Sequence, residues 1–198
     1  SYTADNFTYS AHNVPSEYST IQSAVDAASA TSFSENMDLT IDDPYTTHAL
    51  ILEYGHTGSG DTILVAPGTY TEKVIIDKSI YLIATDGDPD STIIDGNNNG
   101  RVIIVENGFG LFTLKGFTIQ AGLNIDGSGS ETGGGILLNS NTIVNITNNI
   151  IKNNDAGSNG YGGGLYSWRA TGTVSRNIFI NNTATYGSAA RLNRGGIN

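Results

Sequence analysis

Two stretches late in the chain read Asn149-Ile-Ile-Lys-Asn-Asn154 and Asn177-Ile-Phe-Ile-Asn-Asn182, the second a near copy of the first displaced by 28 residues. Gly133-Gly-Gly-Ile136 returns as Gly162-Gly-Gly-Leu165 after 29 residues, and Tyr161-Gly162 has a looser echo in Tyr186-Gly187 after 25. Self-similarity at a period between about 20 and 50 residues marks a solenoid, in which each repeat buries its apolar face only against its neighbours. From Asp61 onward the chain alternates short apolar runs, such as Val102–Val105, with turns of Gly, Asn or Asp. No helical spacing links these runs, so they read as strands. Three strands and three turns per repeat give the coil of a parallel β-helix. Strand starts near 63, 93, 117, 150 and 178 predict about five right-handed coils.

The pleat of a strand assigns faces, because alternate side chains point to opposite sides. With Ile119, Ile151 and Phe179 stacked inside, Asn149, Asn153, Asn177 and Asn181 are expected to point inward at the strand ends. There their amides would bond the turn backbone and the amide one coil away. The expected outward positions are Thr118, Gln120, Ile150, Lys152, Ile178 and Ile180 on one wall, and Leu137, Tyr166, Trp168 and Arg191 on the next. Thr113, Lys115, Asn145, Thr173 and Ser175 belong to the third wall. No carboxylate occurs among them, so the last three coils offer no acid–base chemistry.

Upstream, residues 61–198 of β-helix are preceded by an N-terminal region, 1–60. Ser19-Thr-Ile-Gln22 reads as a capping box with Ser19 at the N-cap. Ile21, Ala24, Val25 and Ala28 follow at helical spacing, predicting a capping helix over 19–30. Residues 31–60 read as an irregular insertion. His12, His48 and His56 are scattered through this region and are expected at the surface, without a metal-site spacing.

Composition excludes several classes. The chain has 198 residues, 25 Gly, 21 Asn and no Cys, so disulfides, thiolate zinc sites and a cysteine nucleophile are absent. Its net charge of −10, with nine Lys and Arg, disfavours nucleic acid and anionic lipid as partners. No apolar stretch approaches the roughly 18 residues of a membrane span. The last residues, Arg191-Leu-Asn-Arg-Gly-Gly-Ile-Asn198, form no polar cap. An uncapped solenoid end is expected either to continue into more chain or to stack on another subunit.

Gly60-Asp-Thr-Ile-Leu-Val-Ala-Pro-Gly-Thr-Tyr-Thr-Glu72 and Thr92-Ile-Ile-Asp-Gly96 resemble the opening coils of pectin-lyase-like β-helix proteins. The Gly-Gly-Gly-Ile and Phe179-x-x-Asn182 units are similar to repeats of polymorphic outer-membrane autotransporters and bacterial surface proteins. The resemblance covers roughly 18–30 and 60–193. It implies a helix capping the first coil and an extracellular or cell-surface location. For activity it implies a spread from lyases and hydrolases to plain adhesins. Two departures stand out: the third Gly replaces the family's usual Ala, and the insertion after the helix is long.

Candidate residues follow. Asp77, Asp95, Arg101 and Glu106, in the first two coils, are the catalytic candidates if the chain is a polysaccharide lyase, hydrolase or esterase. Asp86, Asp88 and Asp90 resemble a fragment of a calcium loop, although a solvated turn explains them better. Tyr161, Tyr166, Trp168 and Tyr186 suggest an aromatic strip on which sugar rings stack. Ile150, Ile178 and Ile180 would form an outward apolar stripe, a face for self-association alongside the open solenoid ends. Asn6 and Asn145 stand in Asn-x-Thr glycosylation sequons; a third, at Asn181, is expected to face inward. The leading expectation is a non-catalytic structural or adhesive surface module that binds glycans or protein partners.

Overall fold

The structure, a computed structural model, describes residues 10–28, 60–106, 110–124 and 133–198. The chain opens with β1 (Ala11–Val14) and α1 (Ile21–Ala27). Five three-stranded coils follow. They are β2 (Asp61–Val65), β3 (Gly68–Thr71) and β4 (Val74–Ile76); β5 (Ile80–Ala84), β6 (Thr92–Asp95) and β7 (Ile103–Val105); and β8 (Leu111–Lys115), β9 (Thr118–Gln120) and β10 (Ile136–Leu138). Then come β11 (Ile143–Thr147), β12 (Ile150–Lys152) and β13 (Leu165–Trp168); β14 (Thr171–Ser175), β15 (Ile178–Ile180) and β16 (Ala190–Asn193); and a final β17 (Gly196–Ile197).

Every pairing between these strands is parallel and joins one coil to the next, giving three walls. Their orders are β1-β2-β5-β8-β11-β14-β17, β3-β6-β9-β12-β15 and β4-β7-β10-β13-β16. This is the parallel β-helix that the repeat predicts. Its core is a set of inward stacks running along the axis: Ile94, Ile119, Ile151 and Phe179 in one wall, and Val74, Ile103, Ile136 and Leu165 in another. Ser167 interrupts a third stack between Leu138 and Leu192, and its buried hydroxyl has no hydrogen-bond partner.

Two amide ladders flank the β9-β12-β15 wall. Asn149 Oδ1 accepts from the Phe117 N–H at 3.0 Å, while its Nδ2 donates to Leu114 O at 3.1 Å and to Asn177 Oδ1 at 3.0 Å. At the other edge Asn154 Oδ1 accepts from Gly122 N–H at 2.8 Å, and its Nδ2 donates to Ile119 O at 3.1 Å and to Asn182 Oδ1 at 3.0 Å. The inward amides at this edge are therefore Asn154 and Asn182, not Asn153 and Asn181. The latter two sit at the corner with φ of 55° and 51° and are exposed. A left-handed residue reverses the pleat, so the alternation that assigns Ile151 correctly fails one step beyond the strand. The Asn181 sequon consequently faces solvent.

The strand expected near 63 lies in a different wall from those at 93, 117, 150 and 178. Ile93 pairs instead with Thr69 of β3, whose Gly-Thr-Tyr-Thr sequence has no aliphatic run to announce it. The Gly-Gly-Gly units are explained by close approach between coils. Gly133 and Gly162 adopt φ of 64° and 65°, and a Cβ on Gly135 would lie 2.5 Å from Gly164 O, so the third position has no room for Ala.

Helix α1 closes the first coil, burying Ile21, Ala24 and Val25. Its N-cap is Thr20 rather than Ser19, and the box partner is Ser23 rather than Gln22. Gln22 is used elsewhere: its Oε1 accepts from Ile75 N–H at 2.7 Å and its Nε2 donates to Ile75 O at 3.4 Å, so it occupies the open edge of β4 as a neighbouring strand would. Glu72 accepts from the N–H groups of Ile21 and Gln22 at 2.9 and 2.8 Å, and Lys78 Nζ donates to the carbonyls of Val25 and Ala28 at 3.2 and 3.4 Å. A carboxylate at the helix N-terminus and an ammonium at its C-terminus both suit the helix dipole. His12 is buried, not at the surface: its Nε2 lies 3.0 Å from Asp61 Oδ2 and its Nδ1 3.2 Å from the Tyr18 hydroxyl. The insertion at 31–59, His48, His56 and Asn6 lie outside the described residues. Among those residues no helix is long and apolar enough to cross a membrane.

Candidate ligand-binding wall

The outer face of β13 and β16 gathers the predicted aromatic strip. Tyr161 and Tyr186 pair as an isolated parallel bridge, which sets one ring on the other at 4.9 Å between centroids and 18° between planes. Tyr166 approaches Tyr161 at 6.3 Å. Register places Arg191 directly beside Tyr166, and its guanidinium carbon lies 4.4 Å from the Tyr161 ring centre and 5.6 Å from that of Tyr186. Trp168 lies two residues along the same face of β13 and is flanked by Arg169 at 5.6 Å and Arg194 at 5.4 Å. All four aromatic candidates therefore lie on or beside one wall: Tyr161 contacts both Tyr166 and Tyr186, Trp168 forms a second centre, and Tyr166, being buried, supports the strip and leaves the exposed surface to Tyr186.

The arginines are what sequence reading missed as ligand-binding groups. Arg169, Arg191 and Arg194 form no ion pair among the described residues. Arg169 and Arg194 hold left-handed corners, with φ of 61° and 55°, a conformation that costs roughly 1–2 kcal/mol in a non-glycine residue. A signal was available in the sequence: four Arg and no carboxylate occur after Asp155. Guanidinium groups lying over rings keep their N–H edges free for an anionic oxygen.

The catalytic candidates do not converge. Asp77 and Glu106 follow β4 and β7, and the register Ile76↔Val105, carried one residue further, sets them side by side in adjacent coils. Arg101 precedes β7 and so stands at its opposite end from Glu106. Asp95 belongs to another wall, where its carboxylate accepts from Asn97 N–H and from Gln120 Nε2, both at 2.7 Å. Asp77 lies 3.6 Å from Lys78.

The acidic loop folds on itself. Asp86 accepts from the Ser91 hydroxyl, from Asp88 N–H at 3.3 Å and from the Thr92 hydroxyl at 3.5 Å, and Asp88 accepts from Asp90 N–H at 3.1 Å. The hydrogen bond from Ser91 leads in holding the Asp86 carboxyl below the ordinary aspartate range. Among the described residues no three His, Asp or Glu side chains group as a metal site. Asn145 lies on an outer face between Thr113 and Thr173. Of the apolar stripe, Ile150 is buried, while Ile178 and Ile180 are exposed. No family model, curated protein or solved structure matches the chain.

Proposed function

We propose that the chain is a non-catalytic structural and adhesive module of an extracellular surface, and that its β13–β16 wall binds glycans, acidic ones best. The observation that carries this reading is the stacked Tyr161–Tyr186 pair with Arg191 over both rings. An exposed ring edge and an uncommitted guanidinium together suit a pyranose bearing an acid group. The rigid parallel stack favours display over turnover, since strand register holds these groups at fixed spacing and neither β13 nor β16 carries a carboxylate.

Glycan-array binding by the full chain, followed by calorimetry on the best acidic glycan, tests the proposal. Arg191→Ala and Tyr186→Ala should each weaken binding about tenfold, consistent with loss of one charge-assisted hydrogen bond or one stacked ring, without lowering the melting temperature. Absence of binding to any glycan, or variants that bind normally, would overturn it. The adjacent Asp77 and Glu106 carboxylates favour one alternative, a polysaccharide-active enzyme of pectin-lyase-like type. Turnover of uronate polymers, with or without calcium, that vanishes in Asp77→Ala would establish that alternative instead.

A further inference from the structure

On a different wall, the loop of residues 85–91 lies against the outer surface of the solenoid. Between it and β12–β15 is a cleft of about 310 Å³. Gly87 and Pro89 form one side, Lys115 and Arg176 the other, and Ile150 and Ile178 the floor. The volume falls at the lower end of the range of roughly 300–1,000 Å³ found for small-molecule sites.

The cleft follows from a corner that changes along the stack. Gly116, Asn148 and Arg176 occupy equivalent corners of successive coils, with φ of 86°, 56° and 56°. At Gly116 an added Cβ would come within 3.1 Å of Ala84 Cβ and 3.6 Å of Gly87 Cα. The bare corner thus lets the loop seat closely on the third coil. In the next two coils side chains return, and the loop and wall part. What lines the gap is mixed: two cations above an apolar floor that leaves Ile178 55% exposed.

The charges across the gap make no direct contact with one another. Lys115 and Arg176 form no ion pair among the described residues, although three aspartates stand in the facing loop. Asp86 and Asp88 accept hydrogen bonds from within that loop instead. The two cations are therefore available to a ligand that enters from solvent.

We infer that this cleft is a binding site for a small organic anion. Its carboxylate or phosphate group seats between Lys115 and Arg176, and its apolar body covers Ile150 and Ile178. Arg176 supplies a planar fork that grips two oxygens, and Lys115 a compact charge beside it. The floor favours an acid with an apolar body over a bare inorganic ion, because only the former takes Ile178 out of water.

The test is a nitrogen-15 chemical-shift titration of the full chain with benzoate, benzyl phosphate and the neutral benzyl alcohol. The expected result is saturable movement of the Gly87, Asn148 and Arg176 amides with both anions and binding about tenfold weaker for the alcohol. Arg176→Gln and Lys115→Gln should each weaken the anions by a similar factor while the melting temperature holds; if one variant fails to fold, the other carries the comparison. Equal binding of benzyl alcohol would make the site merely apolar and overturn the inference. Anion-induced shifts confined to the Tyr161–Arg191 wall, no saturable shift at all, or unaffected variants would overturn it as well. Preference between benzoate and benzyl phosphate identifies which acid group the site takes. Because the cleft and the aromatic wall share no residue, failure here leaves the glycan proposal standing, and the reverse.

Discussion

Asn154 concentrates the chemistry of the coil corner in one side chain. It accepts from one buried backbone N–H, donates to one backbone carbonyl, and donates to the equivalent amide of the next coil. Asn154→Ala strands Gly122 N–H and Ile119 O, so a loss of about 2–4 kcal/mol is expected. Urea unfolding with an unchanged m-value and a lowered midpoint would show it; an unmoved midpoint would mean that water replaces the amide without penalty. Ser167 is the opposite case, a buried hydroxyl without a partner in an aliphatic stack. Ser167→Ala should raise stability by up to about 1 kcal/mol in the same measurement. The sequence shows that amides stack over amides at a spacing of 28 residues, because the repeat is nearly literal. It does not show which of two adjacent Asn residues turns inward. That choice depends on a left-handed backbone, and Asn serves equally well as ladder rung or as corner.

At the scale of the element, α1 has seven residues and could not persist alone in water. It is held from outside, by Glu72 at one end and Lys78 at the other. Glu72→Gln keeps the shape but removes the charge that faces two helix N–H groups, and a loss of about 1–2 kcal/mol is expected in thermal unfolding. Gln22→Ala should accelerate hydrogen exchange at the Ile75 amide, with little effect on Ile103 one coil deeper. Equal acceleration at both would mean that the helix stabilises the fold globally and does not act as a local edge cover. The helix itself is legible from Ile21, Ala24, Val25 and Ala28. Its anchors are not, because Glu72 and Lys78 lie about fifty residues downstream and lone charges carry no mark of their partners. The same holds for His12 and Asp61, which meet only because β1 pairs with β2.

At the scale of the whole molecule, charge is divided along the chain. Residues 1–155 hold all 19 carboxylates and five of the nine cations, a net of −14; residues 156–198 hold the other four cations and no acid, a net of +4. The Debye length is about 30 Å at 0.01 M salt and about 8 Å at 0.15 M. A polyanionic glycan therefore meets the overall negative field in dilute salt and only the local arginines at physiological salt. Binding should pass through a maximum near physiological ionic strength and fall on either side. A titration that declines monotonically from the lowest salt would show that the acidic coils exert no repulsion at the wall. Hydrophobic patterning reveals the fold because burial repeats with each coil. The wall is harder to read because its arginines and rings come from two successive coils and a bridge between them.

The amide of Gln22 also bears on assembly. It fills the rung of β4 that an incoming copy of the molecule would have to use, so stacking at that end is obstructed. Indefinite polymerisation needs both faces of each unit free to meet unlike faces of its neighbours. With its amide on Ile75, Gln22 closes this stretch of the β4 edge to a second copy, and the helix protects it from edge-to-edge pairing.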